Sequence, residues 1–260
     1  MTRALLARDE ALIDVLIDDK GSRSETIVLL PSSQRDSLDF NDLAQGLAEQ
    51  GFRVLRPQPR GMGRSSAPVA GLTLQTLATD VAQVIKQLGG GRAIVAGHAY
   101  GHYVARVTDL HHPECMRGVV LLAAAAREPL AELSTSLDIA ADNTRPEAER
   151  LTHLRRAFFA PGNDASVWLE GWHPQWRVHY RLAAASPPKA HWWETTHSPI
   201  LEVQGAQDPW RPPASRLELQ DKLGDTVSLC VIDDASHALI PEQPAAVIAA
   251  IVDWARGLSP

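Results

Sequence analysis

The stretch AIVAGHAYG at residues 93–101 joins a short apolar run to a pair of glycines four residues apart. Its apolar start predicts a buried strand, and the chain beyond it, to about Leu110, is expected to be a helix. A turn this tight needs glycine at both flanks, Gly97 and Gly101, because a Cβ atom there would clash with the neighbouring strand or helix. The central residue, Ala99, is then held out above the sheet, and the following helix points its first backbone N–H groups at the same place.

Strands and helices alternate on both sides of this turn. Glycines and prolines separate short apolar runs from segments whose apolar residues have helical spacing. This order predicts an α/β fold with a doubly wound, mostly parallel sheet and helices on both faces. Two early segments, 5–7 and 12–17, fit a β-hairpin at the sheet edge. Further strands are expected at 27–30, 52–55, 118–126, 200–204 and 227–232, and helices at 40–50, 74–88, 216–223 and 244–258.

The alternation stops between residues 127 and 198. This segment contains five of the seven tryptophans, and its apolar residues have helical spacing around residues 151–159. We interpret it as a helical lid inserted into a core made of residues 1–126 and 199–260; ordinary core helices are the alternative. Its tryptophans either line a pocket for an apolar substrate or pack within the lid, since tryptophan buries a large area wherever it lies.

Two chemically active side chains follow the last two expected strands. Asp208 lies in a loop opened by Gly205, and His237 lies in the loop after residues 227–232. A neutral histidine at the carboxyl end of a strand can accept a proton, and a buried carboxylate can fix its tautomer and stabilise the imidazolium. Glu128, just past the strand expected at 118–126, is the alternative acid.

Further motifs support one family resemblance. The order of turn, acid and histidine is typical of one group of hydrolases. Residues 53–66 read RVLRPQPRGMGRSS, and residues 241–244, shortly after His237, read PEQP. With the turn at 97–101, these residues resemble the α/β-hydrolase superfamily, in its branch of lidded esterases and C–C hydrolases, from about residue 26 to 257.

The resemblance implies about eight strands and hydrolysis of a small, largely apolar carboxylic ester or related substrate, without a cofactor. It implies that Asp208 orients His237, which acts as general base and acid. The oxyanion hole would use the backbone N–H of Tyr100 and that of Ser33 or its neighbour Ser32. Family members usually have His-Gly where this chain has Pro-Ser at residues 31–32, a change that leaves backbone donors possible.

The serious departure from the family is Ala99, which stands where the nucleophilic serine belongs. A methyl group cannot attack a carbonyl, so covalent catalysis through this position is impossible. Three interpretations remain open. A serine has been replaced in an engineered form; the alanine is natural and the His–Asp pair activates water or abstracts a proton in a cofactor-free reaction; or the protein only binds a ligand. A pocket without chemistry has no need of Asp208 and His237, which favours an enzyme.

Composition excludes several other classes of protein. The net charge is −6, with 25 basic and 31 acidic residues, so a nucleic-acid partner is not expected. Two cysteines form no disulfide framework or zinc motif, and His98 and His102 are expected to be structural rather than metal ligands. No apolar stretch is long enough to span a bilayer, and the N-terminus lacks the apolar core of a signal peptide. We expect a cytoplasmic protein with a small-molecule substrate; the sequence does not reveal its oligomeric state.

Overall fold

A single mixed sheet forms the centre of the molecule. The computed structural model describes residues 1–8, 11–21, 25–66 and 70–258. Within those ranges the sheet has eight strands in the order β1-β2-β4-β3-β5-β6-β7-β8. The strands are β1 (Thr2–Arg8), β2 (Ala11–Asp18), β3 (Thr26–Leu30), β4 (Arg53–Pro57), β5 (Ala93–His98), β6 (Met116–Leu122), β7 (Ile200–Gly205) and β8 (Val227–Ile232).

The sheet is parallel except at one edge. β1 and β2 pair antiparallel, as expected for a hairpin, and β2 pairs antiparallel with β4. From β4 through β8 every neighbouring pair is parallel, with Leu30 opposite Gly97 and Gly97 opposite Leu121. The predicted fold class, a mostly parallel eight-stranded sheet with flanking helices, is therefore confirmed.

Helices cover both faces of the sheet. The helices are α1 (Asn41–Glu49), α2 (Leu74–Leu88), α3 (Tyr100–His111), α4 (Ala131–Ala141), α5 (Glu147–Ala157), α6 (Arg177–Ala183), α7 (Gln220–Leu223), α8 (Leu239–Glu242) and α9 (Pro244–Gly257). α1 packs against α9, and α2 packs against α3. Alternate residues of a strand point to opposite faces. Val95 accordingly belongs to the core under α2 and α3, whereas its neighbour Ile94 belongs to the core under α1 and α9.

Two predicted elements have bounds that differ from those expected. The strand expected at 118–126 ends at Leu122, because Ala123 has a φ of 46°, which no regular strand allows. The helix expected at 216–223 is α-helical only from Gln220. Its first half forms three-residue turns, in which the N–H of Glu218 bonds the carbonyl of Ser215. The side chain of Arg216 is held by the carbonyl of Ala206, which ties these turns to the loop after β7.

Residues 127–198 form a mainly helical segment between β6 and β7. It contains α4, α5 and α6, joined by short helical turns. Phe158 and Trp168 belong to an apolar cluster that also includes Trp210 and Ala238, which lie in the loops after β7 and β8. Two hydrogen bonds fix the contact: Trp210 Nε1 donates to the carbonyl of Ala157 at 2.7 Å, and the N–H of Ala238 donates to the carbonyl of Phe158 at 2.7 Å. The segment therefore lies against the carboxyl ends of the strands.

Across the part of the chain described above, none of the helices combines the length and the apolar character needed to cross a bilayer.

Candidate active site

The turn after β5 has the backbone geometry that its glycines allow. Ala99 has φ 46° and ψ −115° and is 8% exposed. A Cβ atom on Gly97 would lie 2.2 Å from the carbonyl carbon and oxygen of Gly101, and one on Gly101 would lie 2.2 Å from the carbonyl oxygen of Leu30. Both positions therefore accept only glycine. The N–H of Ala99 donates to the carbonyl of Leu122 at 2.9 Å, which ties the turn to β6.

Asp208 and His237 meet beside this turn. His237 Nδ1 lies 2.9 Å from Asp208 Oδ2, and the side chains are 5% and 0% exposed. The other carboxylate oxygen of Asp208 accepts the N–H of Trp210 at 2.8 Å. Because a carboxylate can only accept, Nδ1 carries the proton, and in the neutral ring Nε2 keeps its lone pair. A base of this kind can take a proton from a molecule bound next to it.

Neighbouring side chains hold the His237 ring and its loop in place. The Trp210 ring stacks on His237, with centroids 5.1 Å apart. His98 Nε2 donates to the carbonyl of His237 at 2.8 Å. Glu242 accepts the N–H of Ser236 at 2.6 Å and so holds the loop from its other side. Sequence reasoning assigned His98 to packing only; its place next to the turn was the signal for this second role.

Burial keeps His98 uncharged. Desolvation, and to a lesser extent the charge of His237, lowers the pKa of His98 to about 3. Its ring is therefore neutral at any ordinary pH and donates one hydrogen bond. This leaves the His237 loop anchored without adding a positive charge next to the His237 ring.

A buried ion pair supports the loop that carries Asp208. Arg211 and Glu202 are each 1% exposed, and Arg211 Nη2 lies 2.6 Å from Glu202 Oε1. Arg211 also bonds the half-buried Glu218 at 3.1 Å, and its N–H donates to the carbonyl of Asp208. Removing one partner of such a pair leaves a buried charge uncompensated. The pair thus couples the end of β7 to the position of Asp208.

A cavity of about 250 Å³ lies in front of Ala99. Ser33, Tyr100, Trp210 and His237 all line it. Within the described chain, neither the N–H of Ser33 nor that of Tyr100 has an intramolecular hydrogen-bond acceptor. These two N–H groups are therefore available to an oxygen atom bound in the cavity.

The remaining walls of this cavity mix apolar and charged groups. Leu137 and Phe158 contribute apolar surface, and α6 contributes Arg177 and Arg181. Arg177 pairs with Asp138, which also lines the cavity. The tryptophans of residues 127–198 are absent from its walls among the described residues; they pack in apolar clusters instead. Of the two roles considered for these tryptophans, packing is the one observed.

The other candidate residues lie away from the dyad. Glu128 is exposed, and its charge acts on Tyr103 and Lys189 rather than on His237. The acid that contacts His237 is Asp208. His102 Nδ1 lies 2.5 Å from the carbonyl of Ala99 and so steadies the turn. Over the described ranges, no three His, Cys, Asp or Glu side chains are grouped so that they could hold a metal ion.

A family model described as "Alpha/beta hydrolase family" matches residues 27–250. The chain belongs to the alpha/beta hydrolase family. The matched range runs from β3 into α9 and includes the turn at Ala99 and both members of the dyad.

Proteins similar in sequence to this chain include epoxide hydrolases. A soluble epoxide hydrolase from Corynebacterium sp. (strain C12) is 37% identical over 79 residues, which cover 30% of this chain and 27% of that protein. Epoxide hydrolase A of Mycobacterium tuberculosis (strain ATCC 25618 / H37Rv) is 23% identical over 273 aligned positions, covering 82% of this chain and 84% of that protein. The match thus spans about a quarter of the first relative's length and most of the second's.

The fold is also found in solved structures. A thermophilic esterase from Thermogutta terrifontis superposes with a TM-score of 0.81 at 22% identity, and the match covers 100% of both chains. At this identity the likeness establishes the fold.

Proposed function

We propose that this protein hydrolyses a small carboxylic ester, or a closely related carbonyl compound, by direct attack of a water molecule activated by His237. The observation that carries the proposal is the hydrogen-bonded Asp208–His237 pair, 2.9 Å apart, facing a cavity in which position 99 offers only a methyl group. The base is present and the protein nucleophile is not. Water is the remaining nucleophile that such a base can activate.

The proposed reaction is a single displacement. His237 Nε2 accepts a proton from water as the water oxygen bonds to the ester carbonyl carbon, and Asp208 stabilises the imidazolium. The negative oxygen of the tetrahedral intermediate accepts hydrogen bonds from the N–H groups of Ser33 and Tyr100. When the intermediate collapses, the bond to the leaving alcohol breaks, and the imidazolium returns its proton to that oxygen. The products are the acid and the alcohol.

The segment at residues 127–198 is the lid in this proposal. α4 contributes Leu137 and Asp138 to the cavity wall, and α6 contributes Arg177 and Arg181. These helices and Ala99 line the same cavity, so in this proposal a bound substrate contacts the lid as well as the strand ends. Excluding bulk water in this way strengthens the hydrogen bonds made to the developing oxyanion. A volume of about 250 Å³ sets the substrate size to a short acyl chain and a small alcohol.

A panel of 4-nitrophenyl esters tests the proposal. The unmodified protein and the variants His237→Gln and Asp208→Asn are compared on acetate, butyrate and hexanoate esters. We expect kcat to fall by roughly 10²–10⁴-fold in His237→Gln with little change in KM, the usual contribution of a general base. His191→Gln is the matched control, because His191 is exposed and lies outside the cavity.

Three results would contradict the proposal, each in a different way. An acyl adduct seen by intact-protein mass spectrometry during turnover would show a protein nucleophile and exclude direct attack. Exchange of α-protons of a bound ketone for deuterium, without ester hydrolysis, would indicate proton abstraction. Binding of the ester panel with equal and negligible turnover in all four proteins would indicate a ligand-binding protein.

A further inference from the structure

A second cavity lies behind the loop that precedes α1. Its volume is about 60 Å³. It shares Ser32, Gln34 and Tyr100 with the larger cavity, so these residues form the boundary between the two spaces. The inner walls beyond this boundary are mostly apolar side chains, among them Ile13, Leu30, Met62, Leu77, Val81 and Val104.

Gln34 has an unusual position on this boundary. It is 1% exposed and has a φ of 61°, and its carbonyl accepts the N–H of His173 at 2.8 Å. Over the described part of the chain, neither Oε1 nor Nε2 of its side chain has a hydrogen-bond partner. A buried amide is normally satisfied, because leaving a donor and an acceptor unpaired in the interior is unfavourable. The backbone therefore holds in place a buried amide that has no partner among the described residues.

The hydroxyl of Tyr100 is the second unpaired group on the boundary. Its ring is held between Tyr103 and Tyr180, with centroids 5.7 Å away in each case. Among the described residues its buried oxygen has no hydrogen-bond partner, whereas the hydroxyl of Tyr180 donates to the carbonyl of Arg60 at 2.8 Å. Gln34 and Tyr100 both line the two cavities, and their unpaired groups together have three donor hydrogens and two acceptor atoms.

The charges around the inner cavity are matched among themselves. Arg60 and Asp80 both line it, and they are joined by two hydrogen bonds of 2.7 and 2.9 Å. An anion or a cation entering this space would lose its hydration without finding an opposite charge of its own. A neutral group that both donates and accepts hydrogen bonds would meet complementary partners in the amide and the hydroxyl.

We propose that Gln34 and the hydroxyl of Tyr100 form a subsite for an uncharged hydrogen-bonding group of the substrate, an amide or an alcohol, whose short apolar end enters the inner cavity. The proposal rests on the function proposed above, because the same substrate places its ester carbonyl beside Ala99. It adds one neutral polar group to the largely apolar substrate expected from the family resemblance. The ester has a neutral polar group in its acyl chain, on the side of Gln34 away from His237.

Binding of small probes tests the subsite without requiring turnover. Butanamide, butan-1-ol, 2-pentanone and butanoate are titrated separately into the protein and followed by ligand-observed NMR. The amide and the alcohol are each expected to bind about tenfold more tightly than the ketone, which only accepts, and than the anion. The amide and alcohol arms also decide which of the two neutral groups fits better.

Substitutions at the boundary between the two cavities provide a second test of the subsite. Gln34→Leu is expected to lower the affinity for butanamide about tenfold, and Tyr100→Phe is expected to lower it a few-fold. Gln34→Leu should leave Tm unchanged or raised, because it removes an amide that the protein itself does not satisfy. The control is Gln204→Leu. Gln204 is 0% exposed and lies outside both cavities, but its Nε2 donates to the carbonyl of Arg216 at 3.0 Å, so this change should lower Tm and leave binding intact.

Two outcomes would overturn the subsite. One is equal affinity for butanamide and 2-pentanone, which would mean that the amide of Gln34 is satisfied by water only. The other is a drop in Tm for Gln34→Leu as large as that for Gln204→Leu, with unchanged butanamide binding, which would show a structural role. The two proposals fail separately, because probe selectivity without ester hydrolysis retains the subsite and removes the reaction.

Discussion

Replacing Ala99 with serine is the most informative single change in this protein. The new side chain keeps the Cβ atom of alanine and the same strained backbone, φ 46° and ψ −115°, and adds one oxygen to a cavity of about 250 Å³. Ala99 lines this cavity, which has room for the added oxygen. We therefore expect the free energy of unfolding to change by less than about 1 kcal/mol.

The expected gain in rate follows from the parts that are already in place. Asp208 lies 2.9 Å from His237, and Ser33 and Tyr100, the proposed oxyanion donors, both line the cavity. In an intact site of this type, loss of the serine costs about 10⁶-fold in kcat, while the remaining groups retain roughly 10³–10⁴-fold over water. In the proposed reaction, direct attack of water offsets part of this loss. We expect Ala99→Ser to raise kcat by at least about 10³-fold, or about 4 kcal/mol in the activation free energy.

The assay follows 4-nitrophenol release from the butyrate ester under pre-steady-state conditions. Ala99→Ser should show a burst, and mass spectrometry should detect an acyl group on residue 99. Ala123→Ser is the matched control, because Ala123 also has a φ of 46° at a strand end but does not line the cavity. A correctly folded Ala99→Ser variant with a rate within about tenfold of the unmodified protein would refute the reasoning, since a site arranged for acyl transfer must respond to its nucleophile.

Three further predictions concern stability. Gly97→Ala should lower the free energy of unfolding by more than about 3 kcal/mol, or prevent folding, because the new Cβ would lie 2.2 Å from Gly101. Below pH 6.5 the unfolded chain protonates His98, whose folded-state pKa is about 3. The free energy of unfolding therefore falls by roughly 1 kcal/mol for each pH unit below 6.5 because of this group. His98→Gln keeps a donor for the carbonyl of His237 and should reduce that slope. Arg211→Met should lower the free energy of unfolding by about 3–5 kcal/mol, because it leaves the buried Glu202 carboxylate without its ion-pair partner.

Urea unfolding monitored by tryptophan fluorescence measures all three. A Gly97→Ala variant of normal stability would mean that the turn can open. An identical acid slope in His98→Gln would assign the acid sensitivity to other groups. If Arg211→Met and the double variant Arg211→Met/Glu202→Leu lose equal stability, the cost comes from packing rather than from a stranded charge.

Local signals in the sequence predicted most of the elements. The expected bounds of α2, residues 74–88, and of β8, residues 227–232, coincide with those observed. The spacing of apolar residues and the glycines that end an element are local features of the sequence. They therefore predict helices and strands without knowledge of the tertiary structure. The order of the turn, the acid and the histidine likewise predicted which residues to consider. The end of β6 was not predicted, because alanine at position 123 is not a residue type that signals a φ of 46°.

What the sequence determined by itself was therefore the alternation of elements, the fold class and a short set of candidate residues. The tertiary structure decided which of these residues meet. Asp208 contacts His237, whereas Glu128 is exposed and its charge acts on Lys189 and Tyr103. It also showed the anchoring bond from His98 and the unpaired amide of Gln34. These facts depend on atoms far apart in the chain being brought together by strand pairing and packing, which no local pattern encodes.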